Sequence, residues 1–232
     1  MKKSHKFFGS VFLLFMGYTI YSHFYSAPPI SGVITDATTG QPVEGTVVLA
    51  DWISERSEYH SKSTELFETQ ETLTDKQGRY VIPGFKMKFL WRIFADIARN
   101  SPEIVIYKYG YLPRNTSSAE GTSPAEGARK FPNIEIKQFL GTPEEKSKFI
   151  NDFLHMIPTI TEGCYWKERI LLVLEADKQV EELERYVASH SQSTKQLKPW
   201  FSEYEHIENT SCPGAIETIT NARKIRNKVS SQ

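Results

Sequence analysis

The chain has two cysteines, Cys164 and Cys212, and each one precedes a segment with helical spacing of apolar residues. In an oxidising compartment two cysteines most simply form a disulfide, and unpaired buried thiols are the alternative. Neither TEGCYWKE nor NTSCPGA shows a pattern typical of a catalytic thiolate with a base in reach. We therefore predict a disulfide that joins the starts of two helices.

The histidines offer no local metal site. His60, His155, His190 and His206 are scattered, with no H-x-x-x-H or HExxH pair among them. The sequence also lacks a G-x-S-x-G elbow, a P-loop and a Rossmann glycine pattern. Acidic tracts such as PEEK and EELE are explained by solvated helix faces. These observations favour a non-catalytic protein without a cofactor.

The stretch GFKMKFLWRIFADIAR combines apolar and basic residues in a way that suggests a binding surface. In a helix, its apolar residues would share one face and its basic residues would surround that face. Such a segment binds an anionic membrane surface or a protein partner; alternatively, the apolar stripe caps one end of the fold. The candidate surface residues are Lys86, Lys88, Trp91 and Arg92.

The N-terminus has the order of an export signal, with lysines at positions 2, 3 and 6 before an apolar run from Phe7 to Tyr21. We assign residues 1–27 to a signal peptide or an uncleaved membrane anchor, and the sequence leaves both open. A buried N-terminal core helix is a further alternative. The positive end should remain in the cytoplasm, so the protein is expected to be exported, either periplasmic or anchored to the inner membrane.

Composition narrows the partners. The 232 residues contain 28 basic and 28 acidic side chains, a balance that lacks the electrostatic footprint of a dedicated nucleic-acid binder. Nucleic acid is therefore not an expected partner. An unknown protein or an envelope polysaccharide is expected instead, together with membrane association through the N-terminal segment.

The elements that must position these residues are short strands separated by turn residues. The predicted strands cover Ile30–Thr35, Gly45–Trp52, the two arms around the Asp75–Gly78 turn, Glu103–Pro113 and Asn133–Phe139. Gly78 suits a backbone position with positive φ, and Gly110 marks a bulge or turn. About six short strands at this spacing indicate a β-sandwich.

The order ISGVITDATTGQPVEGTVVL, then LTDKQGRYVIPGF, then VIYKYGYLP resembles the carboxypeptidase regulatory-like domain. That resemblance implies a prealbumin-like antiparallel β-sandwich over residues 28–140. Gly32 would permit a close approach in the first strand, and Tyr80 and Ile82 would face the core. Two segments, Ser54–Gln70 and Lys86–Ser101, look like insertions into the compact form of this module.

Residues 141–232 have helical character instead. Thr142, Pro143 and Glu145 form a capping box. A second helix is predicted at about Tyr165–Ser189 and a third from Pro213 onward. The expected fold class is therefore mainly β with an α-helical C-terminal region (α+β), comprising a sandwich followed by about three helices.

The function predicted from these features is that of a non-catalytic exported structural or binding accessory module of the cell envelope. An envelope hydrolase with an unrecognised site is one alternative. A carbohydrate-binding module is another, and it would require exposed tryptophans. The candidates for that role are Trp52, Trp91, Trp166 and Trp200.

Overall fold

The computed structural model describes residues 16–57, 62–91, 95–98, 102–117, 129–130, 133–142, 145, 170–172, 174–175, 178, 181–182, 217, 220–221 and 224. Residues 16–21 are helical. The strands that follow are β1 Phe24–Ala27, β2 Ile30–Asp36, β3 Val47–Ser57, β4 Lys62–Leu73, β5 Arg79–Ile82, β6 Phe85–Phe89, β7 Asp96–Ile97, β8 Glu103–Tyr107, β9 Arg114–Ser117, β10 Arg129–Lys130 and β11 Ile134–Ile136. The protein is mainly β.

One sheet is centred on β2. Its residues pair antiparallel with β5 and parallel with both β10 and β11. The prediction that the sandwich is antiparallel is therefore wrong for this sheet, which also contains parallel pairs. The parallel pairing arises because the chain leaves β2, builds the other sheet and returns in the same direction, as parallel neighbours require a long crossover.

The second sheet is centred on β3, in the order β4-β3-β8-β9, with β7 beside the far end of β3. Strands β3 and β4 form a long antiparallel hairpin whose register shifts between Trp52 and Ile53. The segment Ser54–Gln70, expected to be an insertion, is therefore mostly the two arms of this hairpin. The polar stretch 114–130, between the predicted strands Glu103–Pro113 and Asn133–Phe139, has strands β9 and β10 at its ends.

The core lies between these two sheets and is made of β-branched and aromatic side chains. Because side chains alternate along a strand, one face of each strand supplies the core. The first sheet contributes Ile30, Ile34, Tyr80, Ile82, Ile134 and Ile136, and the second contributes Val48, Ala50, Trp52, Ile104 and Ile106. This arrangement is sandwich-like, and it confirms that Tyr80 and Ile82 face the core.

The outward face of the second sheet is also buried, at Val47, Leu49, Val105 and Tyr107. Glu71 of β4 is the cross-strand partner of Leu49 and therefore shares this face. Its carboxylate accepts hydrogen bonds from the backbone N–H groups of Leu171 and Leu172, at 2.6 and 3.1 Å. Leu172 is itself fully buried. The helical residues of 170–182 that the structure describes thus lie over this face.

Two further contacts hold this helical segment, which consists of residues 170–172, 174–175, 178 and 181–182. The backbone N–H of Tyr109 donates to Glu175 at 2.9 Å, and the Tyr109 hydroxyl donates to Glu182 at 2.8 Å. Buried Glu175 also forms ion pairs with Lys178 and, at 3.9 Å, with Lys108. The described residues of this segment are thus docked on the sheet by a buried apolar side chain and by hydrogen bonds to carboxylates.

The expected number of C-terminal helices is not supported. Of residues 141–232, the described helical residues are 145, those of the segment just defined, and 217, 220–221 and 224. The predicted capping box is present, because Thr142 and Glu145 exchange hydrogen bonds of 2.8 and 3.2 Å. In the described part of the chain, no helix has the length and apolar character needed to cross a membrane.

Candidate functional site

A two-stranded ribbon lies apart from the two main sheets. It consists of β1 and β6, which pair antiparallel, with Phe24 opposite Phe89 and Tyr25 opposite Lys88. The register shifts between Tyr25 and Ala27. We call this the β1–β6 ribbon. The possible helix considered for GFKMKFLWRIFADIAR is not found in its described residues, because Phe85–Phe89 and Asp96–Ile97 are strands.

The strand β6 contains an unusual backbone position. Met87 has φ of 36°, and it is the one residue other than glycine with positive φ in the described ranges. This left-handed conformation is disfavoured for side chains other than those of Asn and Asp. Lys86, Met87 and Lys88 are all exposed as a result, in place of a regular alternation. Backbone strain of this kind is often kept where a surface has a role.

A groove with a volume of about 480 Å³ runs beside the ribbon, between β6 and the β3–β4 hairpin. We call it the ribbon groove. Its walls combine two carboxylates, one ammonium group and several apolar side chains. The lining residues are Ser54, Glu65, Leu66, Phe67, Glu68, Lys88, Phe89, Leu90 and Trp91.

The charged part of the groove is an ion pair between Lys88 and Glu68, which joins β6 to β4. The ammonium group of Lys88 also lies 5.9 Å from the ring centroid of Phe85, within the range of a cation–π contact. Both Glu68 and Lys88 keep part of their side chains in solvent. The pair therefore fixes the wall of the groove while leaving polar atoms accessible to a ligand.

The aromatic part of the groove ends at Trp91, whose side chain is 85% exposed. Its indole packs edge-on against Phe89, with ring centroids 4.8 Å apart and planes at 80°. Phe89 in turn lies 5.0 Å from Phe24 of the opposite strand. An almost fully exposed indole held by a half-buried ring is a preformed contact surface, because tryptophan is enriched among the residues that dominate binding energy.

The structure brings some of the sequence-predicted surface residues together. Lys88 and Trp91 line the same groove, whereas Lys86 is exposed on β6 without lining it. Arg92 lies outside the described residues. The groove's other wall, with Glu65, Phe67 and Glu68, was not predicted. These three residues belong to the segment KSTELFETQETL, which forms β4. Glu68 in this segment is 20 residues before Lys88, its ion-pair partner across the groove, so the local sequence does not show that the two meet.

A second concavity of about 270 Å³ lies on the other side of the ribbon, toward the core. Trp52 and Phe85 lie at its apolar base, where their rings meet edge to face at 5.2 Å. At its rim the hydroxyl of Tyr25 donates to Asp96 at 2.9 Å. Burial, together with the acceptor carboxylate of Asp96, raises the pKa of Tyr25 to about 12. Tyr25 is thus a proton donor that stays neutral, which suits a structural bond.

The remaining chemistry-bearing residues are mostly beyond the described part of the chain. Cys164 and Cys212 lie outside it, so their disulfide stays a prediction, as do any roles for the four scattered histidines. Within the described ranges, no group of three or more His, Cys, Asp or Glu side chains is placed to hold a metal ion. Of the four tryptophans, Trp52 is in the core and Trp91 is exposed, while the other two lie outside.

The fold places the chain in the class of mainly β proteins with a sandwich-like core. No family model matches it, and no curated protein matches it. Among solved structures it is similar to a 9R-lipoxygenase from Cyanothece PCC8801, with 13% sequence identity and a TM-score of 0.27. That similarity covers 55% of this chain and 21% of the lipoxygenase chain. A TM-score this low carries no argument about fold family or activity.

Proposed function

We propose that this protein is an exported, non-catalytic accessory module of the cell envelope, of the carboxypeptidase regulatory-like class, and that it binds its partner in the ribbon groove. The observation that carries the proposal is the position of Trp91. Its exposed indole stands at the end of a groove whose wall carries the Lys88–Glu68 pair.

The class rests on the resemblance of the segment from β2 to β11, and several local features support it. The TDKQGRY turn has Gly78 at φ of 69°, and Asp75 accepts hydrogen bonds from the backbone of Gln77 and Arg79 at 2.9 Å each. The two sheets pack through Tyr80, Ile82 and their partners in the core. A fold alone does not define a function, so the groove must supply the rest of the argument.

A binding role is favoured over hydrolysis by what the concave surfaces contain. The ribbon groove pairs its ammonium group with a carboxylate, and the smaller concavity pairs a tyrosine with a carboxylate. The pKa of Tyr25 is raised by burial, which keeps its hydroxyl protonated. Such groups can orient a ligand by hydrogen bonds and stacking. They do not form a nucleophile with an adjacent base, which hydrolysis of an ester or amide requires.

A polysaccharide ligand is the second candidate, and the exposure of Trp91 favours it. Sugar rings present an apolar face that stacks on an indole, while their hydroxyls bond to carboxylate and ammonium groups. Glu65, Glu68 and Lys88 supply such groups in the same groove. A protein partner would use the same indole as an anchor, so the two ligand classes must be separated by experiment.

Binding can be tested with two probes on the full chain. The protein is mixed with purified peptidoglycan sacculi and sedimented, and in cells a photo-reactive amino acid at position 91 tests for a protein partner. We expect Trp91→Ala to raise the dissociation constant about tenfold or more, which corresponds to a loss of about 1.4 kcal/mol. Val81→Ala is the matched control, because Val81 is also exposed but lies on β5, away from the groove.

Retention by sacculi that depends on Trp91 supports the polysaccharide, and a discrete photo-adduct from position 91 but not from position 81 supports a protein. If neither appears, the ribbon groove is not the binding site and the proposal fails. Export is tested separately with C-terminal fusions. Activity of an alkaline phosphatase fusion is expected, and activity of a cytoplasmic reporter in its place would contradict export.

A further inference from the structure

We infer that the apolar run Phe7–Tyr21 stays on the mature protein and is embedded in a lipid bilayer, because the strand that follows it belongs to the fold. The sequence leaves removal after residue 27 and retention as an anchor equally open. Strand β1 covers Phe24–Ala27, inside the segment that such a cleavage would remove. The inference rests on the proposed function in one respect only: export determines on which side of the membrane the sandwich lies.

Strand β1 makes contacts with three other parts of the molecule. It pairs with β6 along its length, and the pairing extends further through a 2.8 Å bond from the Leu90 N–H to the His23 carbonyl. The ring of Tyr25 packs edge-on against Phe67 of β4 at 6.1 Å. Its hydroxyl donates a hydrogen bond to Asp96 of β7. Removing β1 would leave β6 without its partner strand.

The backbone of this segment also fits closely against the fold. Gly84 has φ of 72°, and a Cβ at this position would collide with the carbonyl oxygens of Ala27 and Pro28. The absence of a side chain at Gly84 thus permits β1 to lie against the turn between β5 and β6. Ala27 and Tyr25 are half-buried and pack against the core cluster. These contacts show that β1 is packed as part of the fold, which is not expected of a signal peptide that is cleaved off.

The helix before β1 is exposed and apolar on several sides. Tyr18 and Tyr21 are 70% and 69% exposed, and Met16 and Ile20 are 45% and 51% exposed. Four of the ten exposed large hydrophobic side chains in the described residues therefore lie on these six helical positions. Exposed apolar clusters of this kind mark a surface that another apolar phase covers.

The adjoining sequence identifies that phase as lipid. The helix continues the apolar run from Phe7, which lysines precede, and tyrosines at its end suit the membrane–water interface. The apolar run of about 15 residues is somewhat shorter than the about 20 that usually cross the hydrocarbon core. Local thinning of the bilayer and snorkelling of Lys6 accommodate such a difference.

The inference can be tested with the full-length protein in its native membranes. Two variants carry the recognition site of a specific protease, one between Ser22 and His23, before β1, and one between Ala27 and Pro28, after it. The intact mass of each is measured before cutting. We expect the full N-terminus in the mass, resistance to alkaline carbonate extraction, and release of the C-terminal part from the membrane after the cut before β1. After the cut behind β1, we expect release only once a mild denaturant wash has separated β1 from β6.

The two released parts differ in whether they retain β1, and their thermal melting separates the roles of anchor and strand. We expect the part cut after β1 to melt at least about 4 °C lower than the part cut before it. A mature mass lacking about 27 residues, or an uncut protein in the soluble fraction, would overturn the inference. Equal melting temperatures would overturn the argument from β1. None of these readouts depends on the ligand or on the export reporters.

Discussion

The phenol ring of Tyr80 lies over the backbone of Gly32, its cross-strand partner in β2. A Cβ placed on Gly32 would lie 2.8 Å from the Tyr80 hydroxyl oxygen and 2.9 Å from Cε1 and Cζ of the ring. Real Cβ atoms essentially never come this close to a neighbour. The aromatic ring thus fills the space that the glycine leaves, which is a known way of stabilising a glycine within a sheet.

The substitution Gly32→Ala should destabilise the protein by about 1–3 kcal/mol, because Tyr80 is buried and its ring has little room to move. Chemical denaturation at neutral pH measures this change. Gly17→Ala is the matched control, since nothing lies within 4 Å of a Cβ there. Unchanged stability of the Gly32→Ala protein would show that the ring does not occupy this position.

The hydroxyl of Tyr80 is buried and has no hydrogen-bond partner among the described residues. Burial raises the pKa of Tyr80 to about 12. In the unfolded chain this pKa is about 10, so the stability that Tyr80 contributes is complete below pH 10 and is lost as the pH rises toward 12. Tyr80→Phe should leave stability at pH 7 within about 1 kcal/mol of the wild type.

The same variant should also lose stability less steeply than the wild type between pH 10 and pH 12, because phenylalanine does not titrate. Equilibrium unfolding across this range gives the slope. An identical slope in the two proteins would mean that the Tyr80 hydroxyl does not keep its proton in the folded state.

Local turn chemistry explains which parts of the fold were predictable from the sequence. The turn from Asp75 to Gly78 and the core position of Tyr80 follow from residues that are neighbours in the chain. The turn requires only a glycine with positive φ. The core position of Tyr80 requires only that side chains alternate between the two faces of a strand. The close approach at Gly32 was also expected, although the group that approaches is an aromatic ring and not a backbone.

The β1–β6 ribbon could not be predicted in this way. The apolar residues Leu90 and Ile97 are spaced as in a helix, and the partner strand of β6 lay within a segment assigned to export. Phe24 and Phe89 pair although they are far apart in the chain, and the local spacing of apolar residues carries no information about such pairing. The ribbon groove was missed in part for the same reason, since Glu68 meets Lys88 only after β4 has folded against β6.

Asp36 links the end of β2 to the first turn. Its carboxylate accepts hydrogen bonds from the N–H groups of Thr38 and Thr39, each at 2.8 Å. These backbone hydrogen bonds, of which the one from Thr39 has the larger effect, hold the pKa of Asp36 below its usual value. Burial acts in the opposite direction and raises it. The stability that follows is therefore present above the unfolded pKa of about 3.9 and is lost as the pH falls through the lower folded value.

We expect Asp36→Asn to flatten the loss of stability on acidification below about pH 4, because the amide oxygen still accepts a turn hydrogen bond but does not titrate. Asp36→Ala should lower the melting temperature at every pH, since both N–H groups of the turn lose their acceptor. Thermal melts from pH 7 to pH 2 compare the three proteins. Parallel curves for the wild type and Asp36→Asn would show that this carboxylate does not contribute to the acid transition.

The hydrogen bonds from the N–H groups of Leu171 and Leu172 to Glu71 hold the helical segment on the outer face of the second sheet. Removing the acceptor leaves two partly buried N–H donors without this partner, which typically costs about 1–3 kcal/mol. Glu71→Ala should therefore speed hydrogen–deuterium exchange at Leu171 and Leu172 by about tenfold, with little change at Ile104 or Ile106 in the core. Glu44→Ala, at an exposed position in the turn before β3, is the control. If exchange rises equally at the helix and in the core, Glu71 stabilises the whole fold and the helix does not detach as a separate unit.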